Sequence, residues 1–414
     1  MNIKKILSCI LAIFMCLSVF AACDGNDEHN SDTSATTEKI TEASETESES
    51  QTGTDVSGER FDYFSADISE YATLENYKNI NVVLDTKYIV NDEAVANYIA
   101  YLREYYPKTI KVTDRAVKDG DTVYLYFDGY IDGVAFKGGS NMTDTKPTEL
   151  VIGSNRFIPG FEDALIGIVP SDTGRDKLVD LNLTFPESYD NAELAGKDVV
   201  FKVYIEYIAE YETSEYTEEF ITDTLGFTVQ GDDIFAEFEA YVKTILDNNQ
   251  DTEIKNQVWN AVISSINVTK YPEGELEYYY NSYLNQYEYY RSYYSYLGYS
   301  FETLDEFVTA YLGLEEGTDW KAYTEEQCKL GIKQNLAFHY IGQKENMKIT
   351  DTDYQNAHQY YVDYYTASGY SYTAEELENL LGTDMIKEQA LFDKVTSLLM
   401  ENVSVTYKET ETEQ

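Results

Sequence analysis

The chain has 414 residues, a formal net charge of −45 and 43% hydrophobic residues. At about 100–200 residues per domain it makes two or three domains with cores of their own. That much negative charge excludes a nucleic-acid binder, which needs clustered Lys and Arg against phosphate, and 3 histidines among 414 residues leave little for imidazole chemistry.

Residues 1–22 read as a targeting segment. Lys4 and Lys5 form a positive start, and Ile6 to Phe20 is an apolar run short for a membrane span. The run ends in Phe20-Ala21-Ala22-Cys23, small residues before a cysteine, which resembles the bacterial lipobox with Phe20 where Leu is usual. This implies a diacylglycerol thioether on Cys23 and stable anchoring by more than one acyl chain. The other reading is an ordinary secretory signal cut after Ala22. Cys9 and Cys16 leave with the signal, so Cys328 remains as a lone, buried helix residue and no intramolecular disulfide forms.

Residues 23–60 are Ser, Thr, Glu, Asp and Gly with almost no large apolar side chains, the composition of a disordered acidic tether. Residues 61–110 read as a strand, Ile80 to Leu84, then a helix capped by Asn91 with Val95, Ile99 and Leu102 at helical spacing. Across 111–210 the period becomes two. Val123, Leu125 and Phe127 alternate with Tyr124, Tyr126 and Asp128; Val179, Leu181, Leu183 and Phe185 alternate with polar residues; so do Phe201, Val203 and Ile205. These are half-buried antiparallel strands, with Asp132-Gly133 as a hairpin turn. From 211 to 407 the pattern is helical, with stripes such as Phe235, Phe238, Val242, Ile245 and Leu391, Val395, Leu398, Leu399. Residues 408–414 are a polar tail.

Within the β region, Gly153-Ser154-Asn155-Arg156-Phe157-Ile158-Pro159-Gly160-Phe161 is the most informative run. Pro159 is expected to open a short helix, with Ile158 and Phe161 on one face as an apolar floor. The run stands in an ordered series: Asp119-Gly120-Asp121-Thr122-Val123, Asp128-Gly129-Tyr130, Asp132-Gly133, Phe136-Lys137-Gly138-Gly139, residues 153–161, Phe185-Pro186-Glu187-Ser188-Tyr189 and Leu194-Ala195-Gly196-Lys197. The series resembles the FK506-binding-protein (FKBP) type of peptidyl-prolyl isomerase, in the variant carried by trigger factor. More weakly, residues 74–80 are similar to the segment before that isomerase domain, and 216–403 to the helical arms that cradle unfolded clients.

The resemblance implies an α+β protein: an FKBP-like antiparallel half-barrel around a short helix, followed by an all-α trigger-factor-like C-terminal domain. It places Phe127, Phe136, Ile158, Phe161, Tyr189 and Phe201 on a catalytic pocket for proline, with Leu150, Phe157 and Thr148 beside it on the substrate side. It implies no cofactor and no metal; His29, His339 and His358 read as structural or exposed. Thr148 stands where an aromatic wall is frequent, and Lys137 where eukaryotic relatives carry Asp. A ribosome-binding domain has no counterpart, since residues 1–60 occupy its place, so ribosome binding is not expected.

Tyr278 to Tyr299 holds eleven tyrosines, and a second group runs from Tyr360 to Tyr372. Broad apolar contact with a polar tip suits grip on unfolded chains; helix–helix packing is the competing explanation. The sequence therefore reads as a lipid-anchored, extracytoplasmic bacterial isomerase and chaperone for newly exported polypeptides and their X–Pro segments. The alternatives are a holdase with an inactive pocket, favoured by Thr148, and a solute-binding lipoprotein, opposed by the long helical half.

Overall fold

The computed structural model describes residues 60–408, Glu316 aside. The expectations for the signal, Cys23, the tether, His29 and the tail beyond 408 lie outside the described residues. In chain order the elements are β1 (Ala72–Thr73), β2 (Asn81–Leu84), α1 (Asp92–Tyr105), β3 (Lys108–Val112), β4 (Thr122–Ile131), β5 (Val134–Ser140), β6 (Thr148–Val151), α2 (Phe161–Leu165), β7 (Val179–Thr184), β8 (Asp198–Glu212) and α3 (Ile234–Ser265). There follow β9 (Asn267–Val268), α4 (Glu275–Tyr296), α5 (Leu304–Tyr311), α6 (Trp320–Lys344), α7 (Asp351–Ala367), α8 (Ala374–Leu381), α9 (Thr383–Glu401) and β10 (Ser404–Tyr407). They divide into two compact units, residues 90–246 and residues up to 89 with those from 247 onward.

The first unit is built on an antiparallel sheet ordered β3-β8-β4-β5, with β6 on β4 and β7 on β8. Strand β8 is long enough to pair β7 with its first half and β3 with its second. The turn between β4 and β5 places Asp132 at φ 50° and Gly133 at φ 79°, the left-handed pair a two-residue I′ hairpin requires. Inward positions Val123, Leu125, Val203 and Ile205 are buried as their alternation predicts. The opposite face is not simply solvated. Tyr126 stacks on Tyr204 at 5.1 Å and Tyr124 on Tyr207 at 4.6 Å, with Arg175 over Tyr126 and Lys111 over Tyr207. Tyrosines cover one another there, leaving Tyr126 only 5% exposed. A second small core joins Val95 and Ile99 of α1, whose Asn91 cap accepts from the Ala94 N–H at 2.8 Å, to Ile221, Ile234, Phe238 and Val242.

The second unit is helical, but residues 60–89 belong to it. Leu74, Val82 and Leu84 are buried in the same core as Trp259, Phe338 and Leu399. β1 pairs β9 antiparallel and β2 pairs β10 parallel. Residues 404–407, expected within the helical half, are thus a strand, and the segment 61–110 is shared between the units. Tyr88 and Gln250, where the chain leaves and re-enters this unit, are hydrogen bonded at 2.5 Å. Cys328 is free and fully buried, and burial pushes its thiol up to about 12. His339 stacks on Tyr63 at 5.0 Å and burial holds it down to about 3, while His358 bonds the Ala374 carbonyl. The tyrosine run is divided: Tyr279, Tyr283 and Tyr287, at i, i+4 and i+8 of α4, are core, whereas Tyr293 and Tyr296 of α4 and Tyr299 just beyond it are 47%, 87% and 59% exposed.

Candidate functional site

The floor is built by a turn. The Phe161 N–H donates to the Ile158 carbonyl at 3.1 Å, and Gly160 sits at φ 87°, ψ −11°. Proline at the second position and left-handed glycine at the third make a type II turn. The helix α2 therefore begins at Phe161, not at Pro159, because a residue with Gly160's left-handed backbone cannot lie within a right-handed helix. This corrects the sequence expectation: Ile158 and Phe161 meet across the ends of a turn, not on one helical face.

The loop before that turn is held by Glu162, only 7% exposed. Its carboxylate accepts from the backbone N–H groups of Gly153 and Arg156 at 2.8 Å, Asn155 at 3.0 Å and Phe157 at 3.4 Å. Burial alone would raise its pKa; the N–H groups of Asn155, Arg156, Phe157 and Gly153 outweigh it and hold the group below the usual carboxylate range. Glu162→Gln keeps the shape but loses the charge from these bonds, and is expected to lose about 1.5–3 kcal/mol of stability in this unit at pH 7. A depressed folded pKa contributes stability that is present above the unfolded value and is lost as pH falls through the folded one. Wild type should therefore lose this increment on acidification below about pH 4.5, and the Gln variant should not. Thermal unfolding against pH reads both.

Above the turn lies a continuous set of rings. Phe157 stacks on Phe161 at 4.3 Å and 17°, and meets Phe127 edge-to-face at 5.2 Å. Phe161 meets Phe201 at 5.2 Å and Phe127 at 6.1 Å, and Phe201 meets Phe127 at 6.0 Å and Phe136 at 6.2 Å. Phe136 then contacts Phe185 at 5.8 Å, and Phe185 contacts Tyr189 at 4.7 Å. The structure thus brings together Phe127, Phe136, Phe157, Phe161, Phe201 and Tyr189, with Ile158 packed against the same core. Phe161 and Phe201 are buried, Phe127, Phe136, Phe157 and Ile158 half-buried, and Tyr189 exposed at the end of the series. Leu150 is fully buried opposite Val123 and lies in the core behind the rings. Thr148 pairs with Leu125, and its hydroxyl accepts from the Asn141 Nδ2 at 2.7 Å.

Four further residues shape the site. Asn141, buried, bonds the Phe127 N–H at 2.6 Å and the Leu125 carbonyl at 3.1 Å, so Thr148 and Asn141 together fix the strand that carries Phe127. Phe185 links Phe136 to Tyr189; its place at the end of an alternating strand was the signal for it. Gly129 and Gly139 pass against the Phe136 ring, where an added Cβ would lie 2.7 Å and 2.5 Å from ring carbons. No periodicity announces such close approaches. The site offers a contiguous apolar, aromatic cluster with no carboxylate, imidazole or amine among its rings. Among the described residues no group of three or more His, Cys, Asp or Glu is placed to hold a metal ion.

Residues 113–206 match the family model described as FKBP-type peptidyl-prolyl cis-trans isomerase. The chain is 30% identical over 335 residues to a trigger factor of Clostridioides difficile (strain 630), covering 80% of this chain and 72% of that protein. It is 31% identical over 341 residues to a trigger factor of Alkaliphilus metalliredigens (strain QYMF), covering 81% and 73%. A solved structure described as "Promiscuous Substrate Recognition in Folding and Assembly Activities of the Trigger Factor Chaperone" covers 80% of this chain and 72% of that chain at 17% identity, with a TM-score of 0.38 too low to bear on the arrangement of the elements. The alignments with the curated relatives run well beyond the isomerase-type domain on both sides, and on them the chain belongs to the trigger factor family.

Proposed function

We propose that the protein catalyses cis–trans isomerisation of X–Pro bonds in newly exported polypeptides, and that it holds those polypeptides on its helical unit at the outer face of the cytoplasmic membrane. The observation that carries the catalytic reading is the contiguous cluster of the Phe127, Phe136, Phe161 and Phe201 rings. Resonance makes C–N rotation cost about 18–20 kcal/mol, and uncatalysed X–Pro isomerisation takes tens to hundreds of seconds. A water-poor aromatic recess disfavours the planar, charge-separated amide more than the twisted transition state, so it lowers the barrier without a proton donor. The direct test is the cis-to-trans rate of a proline tetrapeptide. A rate equal to background defeats the catalytic reading and leaves a holdase, the reading favoured by Thr148 in place of an aromatic wall.

Client binding is supported by the exposed rings of Tyr293, Tyr296 and Tyr299. Their partly apolar, partly polar surface suits chains of varied sequence. Because Tyr88 and Gln250 are adjacent, deleting residues 90–246 and joining the ends with a short linker should leave the helical unit intact. That deletion is expected to keep most suppression of aggregation of a refolding protein; if protection resides instead in residues 90–246 alone, the helical unit is not the client site.

The location rests on Lys4, Lys5, the apolar run and Ala21-Ala22-Cys23. Labelled palmitate should enter the wild-type chain in a bacterial host and not Cys23→Ser; equal labelling of both removes the anchor. Neither nucleic acid nor the ribosome is a partner in this reading.

A further inference from the structure

The residue meant to be the floor of the proline recess is covered. Phe161 has 0% exposure, and the ring lying flat on it at 4.3 Å belongs to Phe157. The other aromatic neighbours of Phe161, Phe127 and Phe201, stand edge-on at 81° and 84°, as walls do. A flat ring on the floor and edges around it is the arrangement a bound prolyl ring would adopt, with Phe157 in the place of the prolyl ring. Phe157 is itself only half-buried, so its outer side has room to move.

We propose that Phe157 is an intramolecular plug of the proline recess: its side chain occupies the substrate ring's seat and must rotate away before an X–Pro segment binds. This rests on the isomerase reading above and names a control within that site. The backbone beneath the plug is fixed, since Glu162 accepts from the N–H groups of Arg156 at 2.8 Å and Phe157 at 3.4 Å. Gly160 and Pro159 fix the turn on the other side. The loop therefore stays in place, and opening is a change of side-chain rotamer, with no displacement of residues 153–161. In the plugged form, the binding-competent state is only a fraction of the whole, and the apparent affinity for substrate is reduced by that fraction. Rotamer exchange is fast on the timescale of prolyl isomerisation, so the plug acts on KM and leaves kcat unchanged.

The test uses the full chain with Phe157→Val, which keeps an apolar wall but cannot reach across the Phe161 ring. Phe157→Val is expected to raise kcat/KM for a proline tetrapeptide about three- to tenfold, through KM alone. Unchanged or lower kcat/KM in Phe157→Val, with wild type active and circular dichroism showing both folded, overturns the plug. If neither protein turns over the peptide, the isomerase reading falls and binding decides the plug separately. In an NMR titration with the same peptide, tighter binding by Phe157→Val upholds it, and equal or weaker binding overturns it.

Discussion

Phe161→Ala is expected to remove most isomerase activity and to destabilise the sheet-containing unit together. Phe161 is fully buried between Phe127, Phe157 and Phe201, so truncation leaves a cavity and costs about 3–5 kcal/mol. That is a large share of the roughly 5–15 kcal/mol by which a domain is stable. Packing an apolar ring against Phe161 contributes about 1.5–3 kcal/mol, so kcat/KM should fall roughly 10- to 150-fold in the fraction that remains folded. Activity corrected for folded fraction, from denaturant curves on the same samples, separates the two effects. Tyr189→Phe provides the contrast: its ring is 38% exposed and meets Phe185, so stability should change by less than about 0.5 kcal/mol. Wild-type kcat/KM in folded Phe161→Ala would remove the floor from the site.

Arg60→Ala is expected to weaken the helical unit by several kcal/mol at neutral pH. The Arg60 guanidinium donates to Glu388 at 2.7 Å, and Glu275, with 0% exposure, accepts the Phe61 N–H at 2.9 Å. Burial pushes both carboxyls above their usual range, and the Arg60 charge opposes it. Removing the cation leaves two buried carboxylates without a counter-charge, which costs about 3–5 kcal/mol; because the Arg60 side chain is 27% exposed, the low end applies. The pH dependence has a definite sign. A carboxyl with a raised folded pKa is most favourable to folding below its unfolded value, and its contribution is lost as pH rises. The variant should therefore recover stability relative to wild type as pH falls from 7 toward 5. The only two tryptophans, Trp259 and Trp320, both lie in this unit, so fluorescence-detected unfolding in urea reports it directly. Equal midpoints for variant and wild type at pH 7 would show the cluster to be energetically neutral.

These two sites illustrate unequal legibility. Strand alternation makes Phe127 and Phe201 legible as inward-facing, and the Gly153–Phe161 run makes Ile158 and Phe161 legible as an apolar pair; Phe136, Phe157 and Tyr189 are placed at the site only by the family resemblance. Their partners were harder. Phe185 carried a signal, continuing β7's alternation one residue past the strand's end, but Asn141 bonds across strands and Gly129 and Gly139 matter only through the distance to Phe136. The helix start was misplaced because Pro-Gly is compatible with both a helix entry and a type II turn; the backbone angle of Gly160 decides between them. The Arg60–Glu388 pair joins residues 328 positions apart, and no local pattern encodes such a contact.

The sequence by itself determined the class of the protein: a period-two region followed by helical stripes, and motif spacing that resembles an isomerase-type domain. These are short-range properties, set by side-chain chemistry and backbone period. Only the tertiary structure decided which tyrosines are core and which are exposed, that residues 60–89 complete the helical unit, and that the Phe157 ring stacks on Phe161. Each of these depends on which distant surfaces bury one another, and burial is a property of the folded chain as a whole.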